Sequence, residues 1–264
     1  MGDLADRTAP QPQALQGQPP AALAQGARMR DNAPMDAFAW SSPAELLGPL
    51  DDVESKHAPE KLWVQGDTSL LTQGARVSIV GSRKASAIGL RRAAKLSRML
   101  VQQGVTVVSG LAEGIDAAAH IHAMEGGGRT VAVLGTPLDK TFPAAHRDLQ
   151  QRIMQEHLAV SQFAPGSTTH RSCFPMRNRT MALISDATVI IEAGERSGTM
   201  HQGWEALRLG RPLYVLESLA ARQMGWVTKL LDYGAQILSD SNRELFLESL
   251  PEESRLERFA EAPF

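Results

Sequence analysis

A short apolar run ends in a turn of small residues that carries two cations. The turn is Gly81-Ser82-Arg83-Lys84, and it directly follows Ser78-Ile79-Val80. Glycine and serine let backbone N–H groups approach an anion closely, and a helix that begins just after them adds the positive end of its dipole. Because Arg83 and Lys84 add full charges at the same place, this spacing predicts a phosphate-binding turn.

Three further turns of the same kind follow later apolar runs. They are Ser109-Gly110-Leu111-Ala112-Glu113-Gly114-Ile115-Asp116, Gly135-Thr136-Pro137-Leu138-Asp139-Lys140 and Glu192-Ala193-Gly194-Glu195-Arg196-Ser197-Gly198-Thr199. In an open α/β sheet, ligands bind outside the carboxyl ends of the strands. Each turn alone could merely end a strand, but four such turns on one sheet edge indicate a binding groove.

An aromatic side chain and several arginines precede a predicted helix that runs toward Ser185. The segment is Phe174-Pro175-Met176-Arg177-Asn178-Arg179, with Arg171 just upstream. Guanidinium groups hold phosphates bidentately and stack on bases, and an accessible ring supports a base. The same residues could instead form a salt-bridge cluster around a core phenylalanine. The combination of arginines and an aromatic ring favours contact with nucleic acid.

Six short β-branched runs, which alternate with helical stretches, must position these turns. The predicted strands are Val77–Val80, Val105–Ser109, Thr130–Leu134, Ala159–Phe163, Thr188–Glu192 and Leu213–Leu216. Amphipathic segments such as Leu90–Gln103 lie between them. This alternation predicts an α/β fold, a Rossmann-like, doubly wound and mostly parallel sheet with helices on both faces.

Composition divides the chain into four segments. Residues 1–34 are rich in Ala, Gln, Pro and Gly, and we expect a disordered tail there. For residues 35–74 we expect a short helical or irregular N-terminal extension. Residues 75–240 form the predicted Rossmann-like domain, and residues 241–264 a charged C-terminal tail.

Charge and cysteine content exclude several classes of protein. The chain has 27 Lys and Arg against 29 Asp and Glu, so it is not a generally basic protein, and nucleic-acid binding requires a local patch. The single cysteine, Cys173, excludes a disulfide framework. With neither a signal peptide nor an apolar run of roughly 20 residues, we expect a cytoplasmic protein outside the membrane.

Signals of catalysis or of metal binding are weak in this sequence. Asp116 and His120 stand four residues apart on a predicted helix and could form an acid–base pair. We favour a structural interpretation in which Asp116 caps or braces the glycine-rich turn and His120 supports it. The scattered histidines lack metal-ligand spacing, and no nucleophile elbow or Walker-type lysine occurs. We therefore expect no enzyme activity, no metal and no cofactor.

Several motifs, in the same order, resemble the DprA/Smf family of DNA-processing proteins. The resemblance covers residues 58–238, and its motifs are Leu62-Trp63-Val64-Gln65-Gly66-Asp67, Val80-Gly81-Ser82-Arg83-Lys84-Ala85-Ser86, Ser109–Asp116 with Ala119-His120, Ala132-Val133-Leu134-Gly135 through Leu138-Asp139 to Phe142-Pro143, Phe174–Arg179, Ile191-Glu192-Ala193 and Ser197-Gly198-Thr199. The resemblance implies a Rossmann-like protein that binds single-stranded DNA and forms a homodimer. It also implies a role in loading a recombinase during natural transformation or recombination.

The resemblance also implies which side chains contact DNA. Those that carry over most directly are Arg83, Lys140, Phe174, Arg177 and Arg179. Phosphate contacts would come from the cations and from backbone amides at Gly81 and Gly110, while Phe174 would stack on bases. With the turn residues, the predicted site for DNA and phosphate is Gly81, Ser82, Arg83, Lys84, Gly110, Lys140, Phe174, Arg177, Asn178, Arg179, Ser197 and Gly198.

Departures from the family pattern leave the partner open. His146 stands where the family usually has Asn, and His201 and Trp204 follow the Ser197-Gly198-Thr199-Met200 turn. From this resemblance we expect the family's N-terminal helical domain to be shortened and its C-terminal winged-helix module to be absent. An alternative function is therefore an antitoxin or a nucleotide-ligand sensor of a bacterial phage-defence system, with an operon-encoded toxin as partner.

A third alternative is a nucleotide phosphoribohydrolase. Ser197-Gly198-Thr199 with Glu205 loosely resembles the Gly-Gly-x-Gly-Thr-x-x-Glu loop of lysine-decarboxylase-like enzymes. The spacing to the glutamate is too long, however, and the first glycines are missing. Glu205 fits better as a solvated or salt-bridged helix residue.

Overall fold

The strands of this protein form one twisted sheet. The computed structural model describes residues 38–195 and 197–252. Within them the strands are β1 (Ala39–Ser41), β2 (Leu62–Gly66), β3 (Arg76–Val80), β4 (Thr106–Ser109), β5 (Thr130–Leu134), β6 (Leu158–Ser161), β7 (Ala187–Ile190), β8 (Leu213–Leu216) and β9 (Gln236–Leu238). The spatial order is β1-β2-β6-β5-β4-β3-β7-β8-β9. The predicted disordered tail, residues 1–34, lies outside the described residues.

The strand order creates a crevice beside β3. From β3 the chain builds the sheet outward through β4, β5 and β6, all parallel. It then returns, so that β7 pairs parallel with β3 and the sheet grows the other way through β8 and β9. At such a reversal the connections leave in opposite directions and open a crevice at the carboxyl ends of the strands.

Helices cover both faces of the sheet. They are α1 (Pro43–Leu47), α2 (Asp52–His57), α3 (Ala87–Gln102), α4 (Ile115–Glu125), α5 (Arg147–Glu156), α6 (Cys173–Ile184), α7 (Thr199–Arg208), α8 (Glu217–Ala220), α9 (Gly225–Asp232) and α10 (Arg243–Glu248). Successive residues of a strand point to opposite faces. Val107 and Val189 therefore join the core under α3 and α4, while Val108 and Ile190 join the core under α6, α7 and α9. The predicted α/β, Rossmann-like fold is confirmed.

The six predicted strands are all present, but the sheet extends beyond them at both edges. Residues 38–74 are more than a helical or irregular lead-in, because β1 and β2 add two antiparallel strands next to β6. In β2 the side chains of Leu62 and Val64 are buried while Trp63 and Gln65 are half-buried. This alternation spans only five residues, too few to stand out in the sequence.

The C-terminal segment also packs more than a charged tail would. Strand β9 pairs with β8, and the ring of Phe246 in α10 meets the ring of Tyr214 at a centroid distance of 4.7 Å. Leu250 is buried in the same core. Residues 253–264 lie outside the described part of the chain. None of the described helices has the length and apolar character needed to cross a bilayer.

Candidate functional site

A cleft of about 610 Å³ opens at the carboxyl ends of β3 and β7, where the strand order reverses. Its walls are the turn after β3, the start of α4, the first half of α6 and the loop that leads into α7. The predicted site residues that line it are Gly81, Ser82, Arg83, Lys84, Phe174, Arg177, Asn178, Ser197 and Gly198. Gly110 lines an adjoining recess together with Arg83 and Phe174. The fold therefore brings most of the predicted site residues together in one cleft.

A carboxylate of the chain itself fills the inner side of the turn after β3. Asp116 is buried, and it accepts hydrogen bonds from the backbone N–H groups of Ala112, Gly110 and Gly81. The backbone N–H of Ser82 donates to the carbonyl of Glu192 at 2.7 Å. Asp116 would therefore compete with a phosphate for the amides of Gly81 and Gly110, and their contact with a phosphate stays a prediction. The structural interpretation of Asp116 is confirmed.

The start of α3 is also satisfied from within the chain. Ser86 is the N-cap of α3 and accepts from the backbone N–H of Gly89 at 3.0 Å. The carboxylate of Glu192 accepts from the backbone N–H of Ser86 at 2.9 Å and from its hydroxyl at 2.5 Å. A negative group is stabilised at a helix N-terminus, and here Glu192 supplies it in place of a phosphate. Glu192 therefore already complements the dipole of α3 from within the chain.

Arg177 joins three elements at the floor of the cleft. It is 5% exposed, and its Nη1 donates to the carbonyls of Gly110 at 2.5 Å and Val133 at 2.8 Å. Burial lowers the pKa of Arg177, and the charge of Asp116 opposes that shift. A Cβ on Gly110 would lie 1.8 Å from Nη1, so only glycine leaves room for the guanidinium. Arg177 is thus a buried clamp between α6, β4 and β5, and its contact with a phosphate stays a prediction.

Burial also raises the pKa of the Asp116 carboxyl, while Arg177 and the three backbone donors act against this shift. Opposite charges taken out of water together are tolerated when they are close and hydrogen-bonded. Asp116 and Arg177 attract each other, and each also forms hydrogen bonds with backbone groups of the turn after β4.

Arg179 lies outside the cleft, contrary to the prediction. Helix α6 begins at Cys173, so Pro175 lies in its first turn. A proline is tolerated there because its missing N–H would have no partner within the helix. Residues two apart on a helix do not face the same side. Arg179 therefore points away from Arg177 and pairs with Glu205 on α7, with Nε 2.9 Å from Oε2. Glu205 also pairs with Arg208 at 2.7 Å, so it is the salt-bridged helix residue that the sequence favoured.

Lys140 also fails to join the described lining of the cleft. Its ammonium group donates to the carbonyl of Ser167 at 2.8 Å, and the side chain is half-buried. This bond links the turn after β5 to the long connection between β6 and α6. A contact of Lys140 with DNA has no support from this position.

An arginine and two aromatic rings lie together in the recess that adjoins the cleft, and we call them the stacking platform (Arg83, Phe142 and Phe174). The guanidinium carbon of Arg83 lies 5.5 Å from the ring centroid of Phe174. The ring of Phe142 lies 5.3 Å from that of Phe174, tilted by 52°. Phe142 is 52% exposed. Sequence reasoning missed Phe142 as a site residue, although the Phe142-Pro143 motif was the available signal.

The fourth wall of the cleft is the start of α7. Gly198 is the N-cap and offers no side-chain cap, while the hydroxyl of Ser197 donates to Thr199 Oγ1 at 2.8 Å. Gln202, one turn into the helix, is 1% exposed and lines the cleft. Neither its amide oxygen nor its amide nitrogen has a hydrogen-bond partner among the described residues. Sequence reasoning missed Gln202, since a lone glutamine in a helix carries no signal.

Asp116 and His120 do not act on each other. His120 Nδ1 lies 2.7 Å from Thr130 Oγ1, and that hydroxyl donates to the carbonyl of Val107. The hydroxyl proton is thus committed to Val107, so His120 Nδ1 is the donor in its own bond. Burial, together with the charge of His157, lowers the pKa of His120 to about 3. His120 is therefore a neutral packing residue that joins α4 to β5.

Comparison with known proteins places this fold and cleft in a family. The family model described as DNA recombination-mediator protein A matches residues 46–249. DNA processing protein DprA of Streptococcus pneumoniae is 38% identical over 168 residues, which cover 64% of this chain and 59% of that protein. DNA processing protein DprA of Bacillus subtilis is 30% identical over 195 residues, or 74% of this chain and 65% of that protein. The chain thus spans somewhat less than two thirds of the length of these curated relatives.

Solved structures agree with the sequence comparison. The X-ray structure of DprA from Streptococcus pneumoniae superposes with a TM-score of 0.69 at 31% identity, over 82% of this chain and 76% of that one. DNA processing protein A from Helicobacter pylori, described for its single-stranded DNA binding mode, gives a TM-score of 0.66 at 28% identity, over 81% and 96% of the two chains. Motif order, strand order and both comparisons agree: the chain belongs to the DNA recombination-mediator protein A family, the DprA/Smf DNA-processing proteins.

Proposed function

We propose that the cleft binds single-stranded DNA in DNA processing or recombination. The stacking platform is the observation that supports this most strongly. Aromatic rings stack on any base, and an arginine over a ring adds both charge and a planar surface. The Helicobacter pylori relative is described by a mode of binding single-stranded DNA, which supports the same ligand for this cleft.

In this proposal the rim and the floor of the cleft have different tasks. Arg83 and Lys84 are exposed at the rim, where they contact phosphates, while Phe174 and Phe142 receive bases. Asp116, with its ring of backbone donors, fixes the turn that carries the two cations. A site that is rigid before the ligand arrives loses less conformational entropy on binding.

We also propose that the cleft binds without catalysis. Asp116 is the acidic side chain among the described lining residues, and three backbone N–H groups and Arg177 hold it. Glu205, on which a phosphoribohydrolase would depend, lies between Arg179 and Arg208 and outside that lining. The geometry therefore favours a binding protein over a hydrolase.

We extend the proposal to a homodimer that hands DNA to a recombinase, because the family is described as recombination mediators. Light scattering of the purified protein is expected to give twice the mass of the chain. A tagged protein loaded with DNA is expected to retain a recombinase. A monomer that retains no recombinase would limit the function to DNA binding alone.

Removal of Arg83 tests the proposed DNA site. Arg83→Ala is expected to weaken binding to a fluorescein-labelled oligo-dT, measured by fluorescence anisotropy over a salt series. Loss of one phosphate contact should make the slope of log K against log salt shallower by about 0.7. Arg98→Ala is the matched control, because Arg98 is an exposed arginine of α3 that does not line the cleft. Equal affinity and equal slope in both variants would reject this site.

A further inference from the structure

The side-chain amide of Gln202 is buried and has no hydrogen-bond partner among the described residues. The residue is 1% exposed, and both ends of its amide are unpaired among the described residues. A buried polar group without a hydrogen bond is costly, and folded proteins rarely tolerate one. Gln202 lines the cleft, so a ligand that reaches this wall could supply the missing partner.

The cleft around Gln202 is partly apolar. Met181 and Val80 form an apolar part of the same lining, and α6 packs against α7 along this wall. Among the described residues, a Cβ placed on Gly198 or Gly194 would meet no atom within 4 Å. Ligand sites commonly combine such apolar walls with a few placed polar groups.

The carboxamide of Gln202 carries both a donor and an acceptor, so it can distinguish the base of a nucleotide from its phosphate. A phosphodiester offers only acceptors, so it would pair with the Gln202 N–H groups and leave Oε1 without a donor. The edge of a nucleobase presents a donor beside an acceptor, which matches both ends of a carboxamide. The most buried polar side chain among the described lining residues is therefore suited to a base and not to a phosphate.

We propose that Gln202 is a base-reading residue, and that one nucleobase of the bound strand enters the cleft between α6 and α7 to pair with its carboxamide. The inference rests on the proposed binding of single-stranded DNA. The backbone of that strand stays at the rim with Arg83 and Lys84. Binding is then selective for the base at one position, whereas the stacking platform accepts every base.

Base selectivity can be measured with oligonucleotides of equal length. Wild-type protein and Gln202→Met are titrated with oligo-dT, oligo-dA, oligo-dC and a strand of abasic residues. Wild type is expected to prefer one of the homopolymers. Gln202→Met is expected to bind that strand roughly tenfold more weakly, the loss of one pair of base contacts, while its affinity for the abasic strand is unchanged.

A second variant and a stability measurement show whether weaker binding by Gln202→Met comes from unfolding or from lost base contacts. Methionine has the length of glutamine and leaves no unpaired amide, so Gln202→Met should melt at or above the wild-type temperature. Gln202→Glu keeps the acceptor and removes the donor, and it should also lose the preference among homopolymers. Wild-type selectivity in both variants would overturn the base pocket, and so would an equal loss on the abasic strand.

The same titrations separate this inference from the proposed function. If wild type binds every strand, abasic included, and Gln202→Met matches it throughout, only the base pocket is rejected. If wild type binds none of the strands, both proposals are rejected. Selective loss on one base-bearing strand supports both.

Discussion

Two carboxylates of the chain take the positions that the sequence seemed to offer to a phosphate. Asp116 accepts the backbone donors of the glycine turns, and Glu192 accepts from the N-cap Ser86 of α3. Glu192 and Ser86 are 106 residues apart, so no local pattern could reveal their contact. Residue types and spacing were enough to locate the cleft. They could not show which hydrogen-bond donors of the cleft are already paired with other residues of the chain.

The stacking platform depends on the absence of a side chain at Gly135. A Cβ there would lie 2.6 Å from Cδ1 of Phe174, closer than packing allows. Gly135→Ala is therefore expected to displace the Phe174 ring and to weaken binding of oligo-dT by up to about 1–3 kcal/mol, the stacking of one base. Fluorescence anisotropy measures the change.

Gly225→Ala is the control for this substitution. A Cβ on Gly225 meets no atom within 4 Å, and the residue lies at the start of α9, away from the described lining of the cleft. It should leave DNA affinity unchanged. Undiminished affinity in Gly135→Ala would show that the position of the Phe174 ring does not matter for binding.

At the scale of elements, prediction succeeded where periodicity was long and failed where it was short. The β-branched runs and the 16-residue helix α3 carry clear patterns. Strands β1 and β9 have three residues each, too few to show an alternation. The sequence placed Phe174–Arg179 before the helix, whereas α6 begins at Cys173, so Arg177 and Arg179 lie within the helix and face different sides.

The N-terminus of α3 offers a test at this scale. Glu192→Gln removes the negative charge that accepts from Ser86 and favourably complements the positive end of the α3 dipole. We expect the free energy of unfolding to fall by about 1 kcal/mol, which is typical of a lost cap or dipole contact. Urea denaturation of the variant and of wild type gives the difference.

Glu195→Gln serves as its control, because Glu195 is an exposed residue of the same loop. It removes an equal charge at nearly the same place in the chain, and we expect no more than a small change in stability. If both variants lost the same amount, general charge in the loop would explain the effect and the cap would not.

For the whole molecule, the balance of 27 basic against 29 acidic residues means that any DNA contact requires a local patch. The strand order explains why the cleft proposed for this contact lies beside β3, where the sheet reverses direction. Fold class and cleft position followed from the alternation of strands and helices. The roles of Arg177, Asp116 and Gln202 in the inner wall could not be predicted in this way, because they arise only when α4, α6 and α7 pack together.

Stability of the whole fold should depend on the protonation of His120. Its pKa is about 6.5 in an unfolded chain and about 3 in the folded protein, where burial disfavours the charge. The unfolded chain therefore takes up the proton first, and folding is favoured least at low pH. Stability is fully present above pH 6.5, and this one group lowers it by about 1.4 kcal/mol per pH unit between pH 6 and pH 4.

His120→Gln isolates that contribution, since a carboxamide still donates to Thr130 Oγ1 but does not titrate. Urea unfolding at pH 7, 6, 5 and 4 should show a steeper decline in wild type than in His120→Gln, whatever the stability of the variant at pH 7. His170→Gln, a change at an exposed histidine, should follow the wild-type slope. Parallel declines in wild type and His120→Gln would mean that the buried imidazole takes up its proton without unfolding the core between α4 and β5.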